Sequence, residues 1–127
     1  MLKLLVFGMV SFGAFSFFGR SGKSDMEISA DDAKIKYDNK VFLLDVRSKQ
    51  EWKECHIPKA TLIPLNELQK RINEVPKDKE VVVICRSGAR SMTATRMLRG
   101  KGYEKTVSMK GGINAWFRQN YELIFTK

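Results

Sequence analysis

Five consecutive apolar residues, Val81-Val82-Val83-Ile84-Cys85, constrain this chain more than any other feature. Successive side chains of a strand point to opposite faces, so a run without polar alternation has no side to offer to water. Its β-branched residues favour extended backbone. A strand apolar on both sides needs cover on both, as the central strand of a helix-flanked parallel sheet has. From Met26 onward, short apolar runs alternate with helical signals. That alternation predicts an α/β fold, with a mainly parallel central sheet and helices on both faces.

Ser29 offers an N-cap hydroxyl to a helix expected to reach about Asn39, and Val41 to Leu44 is a strand ending at Asp45. Ser48 and Glu51 have capping-box spacing, which places a short helix over Lys49–Glu54. Thr61-Leu62-Ile63 is a small strand. Asn66 is expected to cap a helix whose Leu65, Leu68 and Ile72 share a face and which stops before Pro76. Glu80 to Ile84 is the central strand. Ser91 to about Gly100 forms the next helix, with Ala94, Met97 and Leu98 inward. Thr106-Val107-Ser108 makes a last strand, and Gly111-Gly112 leads into a helix through Phe117.

Cys85 closes the central strand and opens Arg86-Ser87-Gly88-Ala89-Arg90-Ser91. A strand that delivers a cysteine into a small arginine-flanked loop at a helix N-terminus favours the thiolate, which is the nucleophilic form. Successive backbone N–H groups in such a loop make a concave anion site. A cysteine alone is more often a small core hydrophobe. A core strand, however, has no use for two guanidinium groups. Open α/β sheets collect ligands at the carboxyl ends of their strands, and Asp45 and Cys85 both stand at such ends.

The loop resembles the active-site loop of the rhodanese family of sulfurtransferases. Asp45-Val46-Arg47, Glu51-Trp52 and His56-Ile57-Pro58 with Ala60 are similar to that family's upstream signature. Gly111-Gly112-Ile113-Asn114-Ala115-Trp116 resembles its downstream element, so the resemblance covers about residues 26–120. Cys55 and Lys59 stand where the family pattern has glycines around His-Ile-Pro. The resemblance implies that Cys85 takes a sulfane sulfur from thiosulfate or a similar donor, becomes a persulfide, and passes the sulfur to a thiol or cyanide acceptor. Arg86, Ser87, Gly88, Ala89, Arg90 and Ser91 would bind the donor, Asp45 and Arg47 would brace the loop, and His56 would be structural. No cofactor is implied.

The formal net charge of +9 suits a small anionic sulfur donor. Basic residues are interspersed with acidic ones and no basic run carries interleaved aromatics, so nucleic acid is not an expected partner. Two cysteines and one histidine cannot make a four-ligand zinc site without carboxylates. A cysteine phosphatase or arsenate reductase of the related fold would place its arginine six positions after the cysteine. Here Arg90 is at the fifth, and the shorter loop encloses one sulfur better than a phosphoryl group. A persulfide carrier or sensor that docks on a protein sulfur acceptor is the alternative of another class.

Leu4 to Gly19 carries no charge and no polar face, and Arg20 to Ser24 follows as a linker. Residues 1–19 are expected to be a signal peptide or membrane anchor, 20–25 a linker and 26–127 the domain. That implies an exported or membrane-anchored protein, on the periplasmic or cell-surface side. Cys55, directly before His56, is either a tolerated turn substitution or a second thiol able to resolve a Cys85 persulfide.

Overall fold

The computed structural model describes residues 25–126, so the apolar stretch Leu4–Gly19 and the linker Arg20–Ser24 lie outside the described residues. The chain runs through β1 (Glu27–Ile28), α1 (Ala30–Asp38), β2 (Phe42–Asp45), α2 (Lys49–Glu54), β3 (Cys55–His56), β4 (Thr61–Leu62) and α3 (Leu65–Leu68). A 3-10 turn at Ile72–Glu74 precedes β5 (Val81–Ile84), α4 (Ala89–Gly100), β6 (Thr106–Met109), α5 (Gly112–Arg118) and β7 (Ile124–Phe125). Five strands form one sheet in the order β1-β6-β5-β2-β4, and every neighbouring pair is parallel. β3 and β7 make a separate antiparallel pair.

β5 is the middle strand, and all four of its residues are buried. Its side chains divide between two cores. Val81, Val83 and Cys85 pack with Leu44, Ala94 and Leu98 on the α4 face. Val82 and Ile84 pack with Leu43, Ala33, Ile113 and Trp116 on the face covered by α1 and α5. Burying a Val, Leu or Ile side chain contributes about 1.5–3 kcal/mol, so this two-sided burial is why the run cannot alternate. Among the described residues, no helix is long and apolar enough to cross a membrane.

Local capping chemistry forms as the sequence implies. Ser29 accepts from Asp32 N at 3.0 Å. The Ser48 side chain accepts from Glu51 N at 3.1 Å, and Glu51 accepts in return from Ser48 N at 2.9 Å. The helix expected from Asn66 is different. It starts at Leu65 with Pro64 as N-cap and no side-chain cap, and Asn66 lies exposed inside it. Pro64 enters at φ −54°, and its carbonyl already accepts from Glu67 N at 2.8 Å, which tightens the first turn ahead of Asn66. The element ends at Leu68, and Ile72 belongs to the separate 3-10 turn, although Leu65, Leu68 and Ile72 do face one core. Helix α4 begins at Ala89, two residues before Ser91, and β6 is not the last strand, since the short β7 comes after α5.

The two departures from the family's glycines behave differently. Cys55 is extended at φ −167°, which any residue adopts. Lys59 is left-handed at φ 69°, where a side chain costs roughly 1–2 kcal/mol. Glycine removes that strain but loses more chain entropy on folding, about 0.4–1 kcal/mol. Lys59→Gly is therefore expected to raise the unfolding free energy by about 0.5–1 kcal/mol, read as a higher urea midpoint at unchanged slope. A lower midpoint would refute the strain at Lys59.

Candidate active site

The carboxyl ends of β2 and β5 are adjacent: Asp45 pairs with Ile84, and Val46 N donates to Ile84 O at 3.0 Å. One rim therefore holds both Asp45 and Cys85. From Cys85 the chain turns through Arg86, Ser87 and Gly88 into α4. Gly88 takes φ 116°, a conformation open to glycine and strained for other residues. That turn aims backbone at the sulfur. Gly88 N lies 3.0 Å from Cys85 Sγ and Ser91 N lies 3.3 Å from it. The Ser91 hydroxyl is 3.5 Å from the sulfur and 2.7 Å from the Ser108 hydroxyl of β6. Burial pushes the Cys85 thiol up, but the Ser91 hydroxyl and the N–H groups of Ser91, Gly88 and Ser87 outweigh it. The net shift is downward, toward the thiolate.

Helix α5 holds the loop from the other side. Ile113 N donates to Cys85 O at 2.8 Å and Asn114 N to Arg86 O at 3.2 Å. Gly112 makes this approach possible, since a Cβ there would run into Cys85 O and come within 2.5 Å of Arg86 C. The helix itself is anchored by fully buried Trp116, whose indole N–H donates to Glu122 O at 2.8 Å.

Both loop arginines turn to a residue from α2. Arg90 grips the Glu51 carboxylate with Nη1 at 2.8 Å and Nη2 at 2.9 Å, a bidentate pair. Arg86 Nε reaches the same carboxylate at 3.2 Å, and Arg86 Nη2 lies 3.8 Å from Glu54. These contacts, led by Arg90, hold the Glu51 carboxyl well below the usual carboxylate range despite partial burial. Arg90 is raised in turn, mainly by its bonds to Glu51 and against partial burial, with smaller contributions from the charges of Glu51, Cys85 and Asp45.

Asp45 and Arg47 form a buried pair. Asp45 accepts from Arg47 N at 2.9 Å and from Nη2 at 2.8 Å, and Arg47 Nη2 also donates to Cys55 O at 2.8 Å. The pair thus braces α2 and β3, and its support reaches the cysteine loop one step removed, through Glu51. Ala89 is the exposed first residue of α4. His56 stacks flat on Trp52 with centroids 3.8 Å apart, and its Nδ1 lies 3.0 Å from Trp52 O. This is a packing role. Cys55 and Cys85 are both free thiols and belong to different cores. Among the described residues, no group of three or more His, Cys, Asp or Glu side chains could hold a metal ion.

Three site residues were not legible as such from sequence. Glu51 carried a capping-box signal but no sign of its arginine partners. Ser108 had one faint signal, a polar side chain in a short buried strand. Gly112 stood in a recognisable motif, yet its contact with the Cys85 carbonyl comes only with the fold.

A parallel α/β sheet that ends its central strand in a cysteine, cradled by loop N–H groups at a helix start, defines a class of thiolate-based transfer domains. The chain belongs to the rhodanese-like domain family, whose model matches residues 29–119. It is 39% identical over 84 residues to a sulfurtransferase of Allochromatium vinosum, covering 66% of this chain and 78% of that protein. It is 35% identical over 92 residues to the putative sulfur carrier protein YrkF of Bacillus subtilis, covering 72% of this chain but only 50% of that relative. Among solved structures, a rhodanese-related protein of Thermoplasma volcanium superposes with a TM-score of 0.72 at 31% identity, covering 77% of this chain and 96% of that one.

Proposed function

We propose that this protein is a sulfurtransferase that carries a sulfane sulfur as a persulfide on Cys85. The observation that carries the reading is the pair of N–H donors converging on one buried sulfur, Gly88 N and Ser91 N, with the Ser91 hydroxyl beside it. Such a cradle favours the thiolate that attacks and equally the anionic outer sulfur of the persulfide that results. Preorganised N–H donors of this kind supply electrostatic stabilisation without reorganisation during the reaction. With thiosulfate as donor, the Cys85 thiolate bonds to the outer sulfur, the S–S bond breaks, and its electron pair leaves on sulfite. A thiol acceptor in its thiolate form, or cyanide, then attacks the terminal sulfur and restores the Cys85 thiolate. No proton need move at either step, which agrees with a packing role for His56.

The name of the Allochromatium relative supports turnover, and that of the Bacillus relative supports a carrier that delivers sulfur to a protein acceptor. Both use the same persulfide. We further infer, from the uncharged stretch Leu4–Gly19 alone, that the domain is delivered to a membrane or beyond it.

Intact-mass measurement of the purified protein before and after exposure to thiosulfate or glutathione persulfide tests the reading. A gain of one sulfur atom, mapped to the peptide containing Cys85, is expected. No gain from either donor would refute sulfur transfer.

A further inference from the structure

We propose that Glu51 sets which sulfur donors this site accepts: by occupying both loop arginines, it favours an organic persulfide over the thiosulfate dianion. The inference rests on the persulfide reading of Cys85 and names the donor class for that site.

The geometry assigns the charges. Arg90 has both terminal nitrogens on the two oxygens of Glu51, and Arg86 has its Nε on the same carboxylate. Glu54 lies near the remaining face of Arg86 at 3.8 Å. Glu51 is only 16% exposed at its side chain, so its bonds to Arg90 are partly shielded from water and salt. Two guanidinium groups are thus balanced by two carboxylates before any donor arrives. The groups in hydrogen-bond contact with the sulfur are neutral: the N–H groups of Gly88 and Ser91 and the hydroxyl of Ser91. Both N–H groups already point at Cys85 Sγ. A thiosulfate dianion would bring three sulfonate oxygens and two negative charges beside a thiolate, against loop arginines already paired with Glu51. At its reacting end a persulfide R–S–SH brings no sulfonate, and its leaving thiolate carries one negative charge where sulfite carries two.

The step balances without an oxidant. The Cys85 thiolate bonds to the outer sulfur of R–S–SH, and the donor's S–S bond breaks. Its electron pair leaves as R–S⁻, and the proton on the transferred sulfur passes to solvent, which leaves the anionic Cys85–S–S⁻.

Glu51→Gln separates charge from scaffold. The glutamine amide oxygen can still accept from Ser48 N and keep the cap of α2, while the negative charge that occupies the arginines is gone. Single-turnover loading of Cys85, followed by intact mass, would compare glutathione persulfide with thiosulfate in the full chain. The wild-type protein is expected to load from the persulfide with a kcat/KM about tenfold or more above that for thiosulfate. In Glu51→Gln the ratio should fall about tenfold, about 1.4 kcal/mol, through a lower KM for thiosulfate. A merely structural role for Glu51 would slow both donors alike and leave the ratio unchanged, which would overturn the assignment. A wild-type preference for thiosulfate would overturn it without any variant. Loading from neither donor would instead refute the sulfur-transfer reading, and this assignment with it.

Discussion

Cys85→Ser is expected to abolish sulfur transfer while leaving the domain folded. The hydroxyl can accept the same N–H bonds from Gly88 and Ser91, and the side chain differs little in shape at a position only 1% exposed. Chemistry, not packing, is what changes. A hydroxyl at neutral pH is almost never ionised, and the cradle lowers a thiol, which ionises far more readily than an alcohol, more usefully than it could a serine. Removing the nucleophile should cost on the order of 10⁴-fold or more in rate. Sulfite release from thiosulfate, thiol release from a persulfide and intact mass all read this. A Cys85→Ser protein that still released sulfite near the wild-type rate would end the assignment of Cys85 as the sulfur carrier.

The second large effect concerns stability. Asp45 is fully buried and Arg47 is 3% exposed, and three of the guanidinium and main-chain donors of Arg47 converge on that one carboxylate. Asp45→Ala leaves a buried guanidinium without its counter-charge, a change that costs about 3–5 kcal/mol. A domain of this size is stable by only about 5–15 kcal/mol, so the variant should lose between about a fifth and all of its stability. Urea unfolding at constant pH measures it. A loss under about 1 kcal/mol would mean that water or another partner satisfies Arg47. Survivors should also load Cys85 slowly, because Arg47 bonds the carbonyls of Glu51 and Cys55 and so sets where the arginine-binding carboxylate stands.

What could be foreseen from sequence was set by chemical range. The cap of α1 at Ser29 and the capping box of Ser48 and Glu51 span three residues, and both formed where expected. The non-alternating run at Val81–Ile84 announced a strand covered on both faces, because burial of every residue leaves no other pattern. Asn66 misled for a local reason: it is a good cap type, but Pro64 two residues earlier had already turned the chain into the helix. The partners of Glu51 lie 35 and 39 residues away, and no spacing in the sequence encodes that meeting. β3 and β7 are two residues each, with Cys55 opposite Phe125, and such a pair has no periodicity to detect. Motif resemblance found the loop itself, while the charge balance around it became visible only when α2, α4 and the loop were placed together.

The pairing of β1 with β6 has a consequence for the order of events in synthesis. Glu27 lies opposite Ser108 and Ile28 opposite Met109, so the first strand of the sheet has no partner until almost all of the domain has been made. At about 5–20 residues per second, the ribosome leaves β1 waiting roughly 4–16 s for β6. The central pairing of β2 with β5 can form sooner, after Ile84 has emerged. During that interval the β5 edge that will receive β6 is open, apolar and ready to pair with another chain. Crowded translation of this protein therefore has its period of greatest aggregation risk between the emergence of Ile84 and that of Met109.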